Sequence, residues 1–126
     1  MRIFKSKWFA RFAKKERISD AKLHEAILNA EKGLIDADYG DGLIKQRIAR
    51  PGEGKSGGYR SIILFRTDER SFFVYGFSKS DQDNIGKSDE RDFKELACVL
   101  LNASDEQLAD LIESGKFQEV QDDGQN

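Results

Sequence analysis

Six cationic residues in the middle of the chain are the side chains best suited to chemistry: Lys45, Arg47, Arg50, Lys55, Arg60 and Lys79. Successive side chains of a β-strand point to opposite faces, so Lys45 and Arg47, two residues apart, would share one face. Arg60 begins the next predicted strand and Lys79 ends the one after it. Because neighbouring antiparallel strands lie about 4.8 Å apart, the spacing predicts one cationic patch gathered from three strands.

A patch of this kind suits the chemistry of a phosphodiester, and in particular the cleavage of RNA through the ribose 2′-hydroxyl. That reaction builds negative charge on a pentacoordinate phosphate, which fixed guanidinium groups stabilise. Proton transfer would fall to a basic side chain such as lysine. The alternative interpretation is a basic strand face that only binds an acidic partner, or cations whose aliphatic stems cover apolar surface.

Other familiar catalytic and metal-binding patterns are missing from the sequence. His24 is the only histidine and Cys98 the only cysteine, so a zinc site or a nucleophile–histidine arrangement has too few partners. We expect His24 to be a half-exposed helix residue and Cys98 a buried, inert thiol. Three aspartates at nearly alternate positions suggest part of a calcium-binding loop: Asp36, Asp38 and Asp41. Because the sequence around them lacks the other ligand positions of such a loop, we expect a solvated acidic turn instead. The sequence predicts no metal and no cofactor.

A glycine-rich segment, residues 52–58, contains Gly-Lys-Ser and so invites comparison with a nucleotide-binding loop. The glycine spacing differs from that motif, and a strand follows instead of a helix, so we reject the comparison. A cationic loop between two strands can still contact a phosphate backbone. We therefore predict Arg50, Lys55 and Tyr59, in and beside this loop, as RNA-binding residues.

Hydrophobic spacing and turn residues predict the elements that position these side chains. Helices are predicted over 7–16, from Ser19 or Asp20 to Gly33, from Ser88 or Asp89 to about 101, and from a capping box at Ser104 and Gln107. Strands are predicted over 3–5, 43–49, 59–65 and 71–77. The order β-α-α-β-β-β-α-α is that of an α+β domain. Its helices, an N-terminal helical hairpin packed on the sheet and further C-terminal helices, would cover one face of a three- or four-stranded antiparallel sheet.

The length and composition predict a single domain over residues 1–126, with a core of about 1–101, a helical extension of about 104–116 and a frayed tail of about 120–126. No apolar run approaches the roughly 20 residues of a membrane span. The start of the chain lacks the apolar stretch of a secretory signal, and a lone cysteine suits a reducing compartment, so we expect a cytoplasmic protein.

The charges are distributed unevenly along the chain. Residues 1–60 carry 14 Lys and Arg against 8 Asp and Glu, whereas residues 61–126 carry 7 against 15. The basic half can attract a polyanion, while the acidic half repels phosphates from its own side.

Three segments resemble the RelE/HigB toxins of bacterial toxin–antitoxin pairs, and the HigB-like branch in particular. They are the basic strand at 42–50, the Gly-Gly-Tyr-Arg strand entry at 55–60 and the aromatic strand ending in lysine at 73–79. The resemblance covers about residues 1–101. It implies a microbial-ribonuclease-like fold and a metal-independent endonuclease that cuts mRNA in the A site of the 70S ribosome.

The resemblance also implies a role for each matching residue. Arg60 corresponds to the family's transition-state arginine, Lys45 and Arg47 to its paired basic strand positions, and Lys79 to the basic residue after the last long strand. The family motif commonly continues with an arginine three residues after that lysine, and some members place a tyrosine a few residues later. Gln82 and Gly86 stand at those places here, which leaves the general acid unassigned.

The partner implied by the resemblance is a cognate antitoxin, typically a small helix-turn-helix protein that binds operator DNA. DNA would then be contacted only indirectly, and no membrane partner is expected. Two alternatives stay open: a ParE-like toxin that binds DNA gyrase, which shares the fold, and a catalytically degenerate member kept as a binding module.

Overall fold

The computed structural model describes residues 1–49 and 58–121, and in that part of the chain it has four helices and six strands. The helices are α1 (Lys7–Glu16), α2 (Asp20–Glu31), α3 (Lys87–Leu100) and α4 (Asp105–Glu113). The strands are β1 (Arg2–Ser6), β2 (Ala37–Gly40), β3 (Leu43–Ile48), β4 (Tyr59–Arg66), β5 (Arg70–Ser78) and β6 (Phe117–Glu119). The α+β prediction is confirmed, whereas the predicted number of three or four strands is wrong.

All six strands form one sheet in the order β2-β3-β4-β5-β1-β6. Only β1 and β5 pair in parallel, and every other neighbouring pair is antiparallel. The strands missing from the prediction are the two edges, β2 and β6, which are four and three residues long. The β3–β4 register sets Arg47 opposite Arg60, and the β4–β5 register sets Arg60 opposite Phe77.

Helices cover both faces of the sheet. One face packs against α1 and α2 through a core that includes Phe9, Ile27 and Ile63. The other face packs against α3 and α4 through a core that includes Ile62 and Leu108. The prediction that helices cover one face is therefore wrong. The run of six buried residues at the start of β4 is what a strand buried on both sides shows.

Most predicted helix ends are confirmed. The side chain of Ser19 caps α2, Gly33 ends it with a φ of +84°, and Ser104 and Gln107 form the predicted capping box of α4. By contrast, α3 begins at Lys87 after Gly86, so the predicted caps at Ser88 or Asp89 are wrong by two or three residues. Among the described residues, no helix combines the length and the apolar character needed to cross a membrane.

Cys98 is exposed, so its predicted burial is wrong. Ala97 and Leu100 are the buried residues of α3. One residue further along a helix is a rotation of about 100°, which carries Cys98 away from the buried side.

The chain stays packed beyond the point where the frayed tail was predicted to begin. Val120 is buried, and its N–H donates to the carbonyl of Ile3 at 2.7 Å. The carbonyl of Gln121 lies 2.8 Å from Nε2 of His24, which is half-exposed as predicted. The tail prediction is thus wrong for Val120 and Gln121, and residues 122–126 lie outside the described part.

Arg2 and Glu119 form a two-point ion pair between β1 and β6, with two nitrogen–oxygen distances of 2.9 Å. Hydrogen bonding by Arg2 lowers the pKa of the Glu119 carboxyl from its ordinary value of 4.5. A lowered pKa adds stability that is present above the ordinary value and lost as the pH falls through the lowered one. Because both side chains are more than a third exposed, we expect Glu119→Gln to cost less than about 1 kcal/mol at neutral pH.

The measurement is urea unfolding of wild type and Glu119→Gln at neutral pH and again at a pH low enough to protonate the carboxyl. The difference between the two proteins should vanish at the lower pH. An equal difference at both pH values would mean that Glu119 stabilises β6 by packing and not by its charge.

Candidate functional site

Three of the predicted cations converge on one carboxylate, that of Asp36. Nε of Arg47 lies 3.0 Å from Oδ1 of Asp36, while Nε of Arg60 and Nζ of Lys45 lie 3.4 and 3.6 Å from Oδ2. We call these four residues the Asp36 cluster. The Asp36 side chain is only 13% exposed, so its predicted place in a solvated acidic turn is wrong.

The cluster follows from strand geometry. Lys45 and Arg47 lie two residues apart on β3 and so share a face, and the β3–β4 register brings Arg60 directly opposite Arg47. Asp36 immediately precedes the edge strand β2, which pairs with β3. The Asp36 N–H donates to Oε1 of Gln46 at 3.3 Å. The meeting point is therefore set by the backbone of three neighbouring strands.

Gln46 is the residue of β3 that anchors Asp36 and that the sequence did not single out. It is buried, and its side-chain amide donates to the carbonyl oxygens of Ala26 and Leu34 at 3.0 and 2.8 Å. These bonds tie the chain before Asp36 to α2 and to β3. A glutamine between two cations in an otherwise apolar strand was the available signal for this role.

The three cations differ in exposure. The side chain of Arg47 is 47% exposed, that of Lys45 13% and that of Arg60 only 6%. Nη1 of Arg60 is buried and has no hydrogen-bond partner among the described residues. Three cations against one carboxylate leave a surplus of two positive charges. Chemically, the cluster can hold an anion, with Arg47 at the solvent side and a spare donor on Arg60 behind it.

The segment between β5 and α3 lies against the Lys45 side of the cluster. The backbone carbonyl of Asp83 is 3.4 Å from Nζ of Lys45. The hydroxyl of Tyr39, from β2, donates to the side-chain oxygen of Asn84. Burial raises the pKa of the Tyr39 phenol above its ordinary value, which keeps the donor protonated. Lys45 is thus enclosed between Asp36 and this segment.

Gln82 stands where the resemblance would place an arginine, and its contacts are internal. Its Oε1 accepts from the hydroxyl of Tyr75 at 3.2 Å, and its Nε2 donates to the carbonyl of Asn84 at 2.9 Å. Gln82 therefore holds the segment in place and adds no charge to the cluster.

Lys79 lies at the border of the cluster instead of inside it. It follows the last residue of β5, is exposed, and has no ion pair with any described residue. Phe77, two residues earlier, is the residue opposite Arg60. The structure therefore brings together three of the four predicted catalytic cations and leaves Lys79 nearby.

Tyr59 takes a position that an RNA contact does not fit. It is 2% exposed and belongs to the core on the α1 and α2 side. Its hydroxyl donates to Oε1 of Glu16 at 2.8 Å, and its ring meets the edge of Phe12. We therefore drop Tyr59 from the predicted RNA-binding residues, because its side chain is packed on the face opposite the cluster. The other two, Arg50 and Lys55, lie outside the described residues.

No group of three or more His, Cys, Asp or Glu within residues 1–49 and 58–121 is arranged to hold a metal ion. A mixed sheet between two helical layers, with a cluster of surplus positive charge on its central strands, defines an α+β protein with a candidate anion site.

Comparison with known protein families identifies the family to which this α+β protein belongs. The sequence model described as the RelE toxin of the RelE/RelB toxin–antitoxin system matches residues 1–120. The chain therefore belongs to the RelE toxin family and is the toxin component of a toxin–antitoxin system, with a cognate antitoxin as its partner. A search of curated proteins finds no match. The RelE resemblance is confirmed, whereas the HigB-like branch stays a prediction.

Proposed function

We propose that this toxin is a metal-independent endonuclease that cleaves mRNA in the A site of the 70S ribosome. The observation that carries the proposal is the Asp36 cluster, where two central strands bring three cations to one spot with surplus positive charge. Preorganised cations of this kind stabilise charge that develops on a phosphate in the transition state. The proposal places the protein in the cytoplasm and treats residues 1–126 as one toxin domain.

The proposed reaction needs only the RNA and side chains. The ribose 2′-oxygen forms a bond to the scissile phosphorus while the bond from phosphorus to the 5′-oxygen breaks. The 2′-hydroxyl loses its proton, and the departing 5′-oxygen gains one. The products are a 2′,3′-cyclic phosphate and a 5′-hydroxyl end.

The cations differ in exposure, which suggests a different role for each of them in binding the RNA. Arg47, nearly half exposed, would contact the phosphate first, and Arg60 would direct its unpaired Nη1 at a phosphate oxygen. Lys45 would add charge from the enclosed side, and Lys79 would contact the RNA at the border. Because Arg60 is buried, the phosphate must displace part of what surrounds it, and the Asp36 carboxylate is the anion it would replace.

A second candidate function is supported by the same contacts. Asp36 neutralises part of the positive charge, and the positions where the family commonly carries an arginine and a tyrosine hold Gln82 and Gly86. A catalytically degenerate member that binds its partners without cutting RNA would show these features. The ParE-like alternative, which binds gyrase, is an outcome of the test below.

The test adds the purified chain to 70S ribosomes programmed with a defined mRNA and maps the 5′ ends of the products by primer extension. We expect cleavage on ribosomes within minutes and none of the same mRNA without ribosomes, because the proposal places the reaction in the A site. Intact mRNA together with a loss of gyrase supercoiling would instead establish the ParE-like function. Intact mRNA and normal supercoiling would establish the degenerate module.

The proposed antitoxin is a small helix-turn-helix protein. Arg50 and Lys55 stay in the proposed RNA-binding set because of their place in and beside the glycine-rich, cationic segment of the sequence.

A further inference from the structure

A pocket of about 500 Å³ lies at the edge of the sheet, beside the Asp36 cluster. It is formed by α2, residues 33–36 and the end of β3. Asp36 and Arg47, two members of the cluster, line its wall. We call it the edge pocket. A ligand bound in the edge pocket therefore lies next to the cations of the cluster.

The edge pocket opens where β3 has no neighbouring strand. In the described part of the chain, β2 pairs with β3 only as far as Lys45, so no strand covers the edge of β3 at Arg47. The helices α3 and α4, which cover the cluster's face of the sheet, carry eight carboxylates against three cations. RNA that reaches the cluster from the edge does not have to cross these acidic helices, which repel its phosphates.

The walls of the edge pocket are partly apolar. Leu34, Ile35 and Ala49 line it, and Leu34 is 62% exposed. An apolar side chain this exposed is stabilised when another apolar surface covers it. Ligand pockets commonly combine such walls with a few polar groups that fix the orientation of the ligand. A nucleobase has apolar ring faces and polar edges, so these walls suit a base.

Two residues of α2 supply the polar groups of the edge pocket. Glu25 and Asn29 both line it, and they are neighbours on the helix surface because they lie four residues apart. Neither side chain forms a hydrogen bond or an ion pair with another described residue. The pocket therefore offers a carboxylate, which only accepts hydrogen bonds, and an amide, which donates and accepts them.

Guanine is the base whose edge matches this pair of groups. Its ring N1–H and its amino group are adjacent donors, and the two oxygens of the Glu25 carboxylate can accept from both. Its O6 can accept from the side-chain amide of Asn29. Adenine and cytosine have a ring nitrogen acceptor beside the amino group, and uracil has an N–H between two carbonyls. Each of these three bases would therefore set an acceptor against the carboxylate.

We propose that the edge pocket binds a guanine base of the mRNA, at the nucleotide whose phosphate the Asp36 cluster holds. Glu25 and Asn29 select the base, while Arg47 contacts the phosphate at the boundary between the pocket and the cluster. That the strand is mRNA rests on the proposed function, whereas binding of a guanine nucleotide requires no cleavage.

The test measures the dissociation constants of the whole chain for the 3′,5′-bisphosphates of guanosine, adenosine, cytidine and uridine, which the proposed reaction cannot cut. Inosine 3′,5′-bisphosphate is the fifth probe, because it keeps N1–H and O6 and lacks only the amino group. We expect guanosine to bind at least about fivefold more tightly than each of the others, the lower end of the discrimination by one bidentate contact. The NMR signal of the Asn29 side-chain amide should shift as the base enters the pocket.

Two variants assign the selection to its residues. Glu25→Ala removes the carboxylate and keeps a good helix former, so guanosine and inosine should then bind within about twofold of each other. Asn29→Ala should weaken guanosine and inosine alike, because both carry O6, and should leave their ratio unchanged. The matched control is Glu31→Ala, which removes a carboxylate of α2 that does not line the pocket, and it should bind all five probes as wild type does.

Equal binding of all five bisphosphates, or a preference for another base, would overturn the proposal. A loss of selectivity in Glu31→Ala equal to that in Glu25→Ala would overturn it as well, because only net charge would then matter. A wild type that binds no bisphosphate would have the same consequence. If a variant does not fold by circular dichroism, the comparison of guanosine with inosine on wild type still decides.

The nuclease proposal and this inference fail separately. Selective binding of guanosine bisphosphate without cleavage of mRNA on ribosomes would refute only the nuclease. Cleavage on ribosomes together with equal binding of the five bisphosphates would refute only the guanine pocket. Where both hold, replacing the guanosine nearest the cleaved bond with inosine should slow cleavage by wild type but not by Glu25→Ala.

Discussion

Replacing Asp36 by alanine is expected to lower the free energy of unfolding by about 3–5 kcal/mol, the range seen when one partner of a buried ion pair is removed. The carboxylate is shared by Lys45, Arg47 and Arg60 at 3.0–3.6 Å. Without it, Arg60 keeps a buried guanidinium that has lost its counter-ion. The loss therefore comes mainly from the uncompensated charge of Arg60 and not from the missing contacts of Asp36.

Urea unfolding followed by circular dichroism measures this loss, and two variants serve as controls. Arg47→Ala breaks only the more exposed ion pair and should cost less than about 1 kcal/mol. Asp38→Asn removes a carboxylate two residues away while keeping an acceptor for the N–H of Gly40. If Asp36→Ala were no more destabilising than Asp38→Asn, the central position given to Asp36 would be wrong.

The local elements of this fold could be predicted from sequence because their signals are local. Ser19 and the Ser104–Gln107 box mark helix starts through bonds within one turn. The alternation of Lys45 and Arg47 likewise placed both on one face of β3. Where the start of α3 was misplaced, the cap is Gly86, which has no side chain to give a signal.

Features that depend on distant parts of the chain were missed. The edge strands β2 and β6 are too short to show alternation, and each exists through its pairing with β3 or β1. The packing of α3 and α4 on the second face of the sheet was missed for a related reason. A strand buried on both sides is a continuous apolar run, which does not say what lies on either face.

The candidate site was predictable in its cations but not in its anion. Three cations on adjacent strands follow from spacing and register, whereas the contact of Asp36 with Arg60 joins residues 24 positions apart. A carboxylate cluster just before a basic strand was the available signal, and we interpreted it as a solvated turn. The burial of Arg60 and Tyr59 also depends on packing from both helical layers.

Replacing Arg60 by alanine is expected to slow mRNA cleavage on the ribosome by at least about 100-fold, a typical cost of removing one donor to the transition-state oxyanion. Nε of Arg60 lies 3.4 Å from the Asp36 carboxylate, which the phosphate would replace, and its Nη1 has no hydrogen-bond partner among the described residues. Arg60→Lys keeps a charge but loses the forked geometry, so we expect a loss of at least about tenfold.

A loss of folding would also abolish activity, so each variant must first show the circular dichroism spectrum and ribosome binding of wild type. Because Arg60 is buried, its alanine variant should lose some stability, and the assay belongs at a temperature where it stays folded. Lys87→Ala, which removes an exposed cation on α3, is the matched control and should cleave at the rate of wild type.

The measurement that tests the account most directly is the single-turnover rate of mRNA cleavage on programmed 70S ribosomes saturated with wild type, Arg60→Ala or Lys87→Ala. The account predicts rapid cleavage by wild type and Lys87→Ala, and a rate at least about 100-fold lower for folded, ribosome-bound Arg60→Ala. Cleavage by that variant at close to the wild-type rate would show that the cations around Asp36 do not cut the RNA.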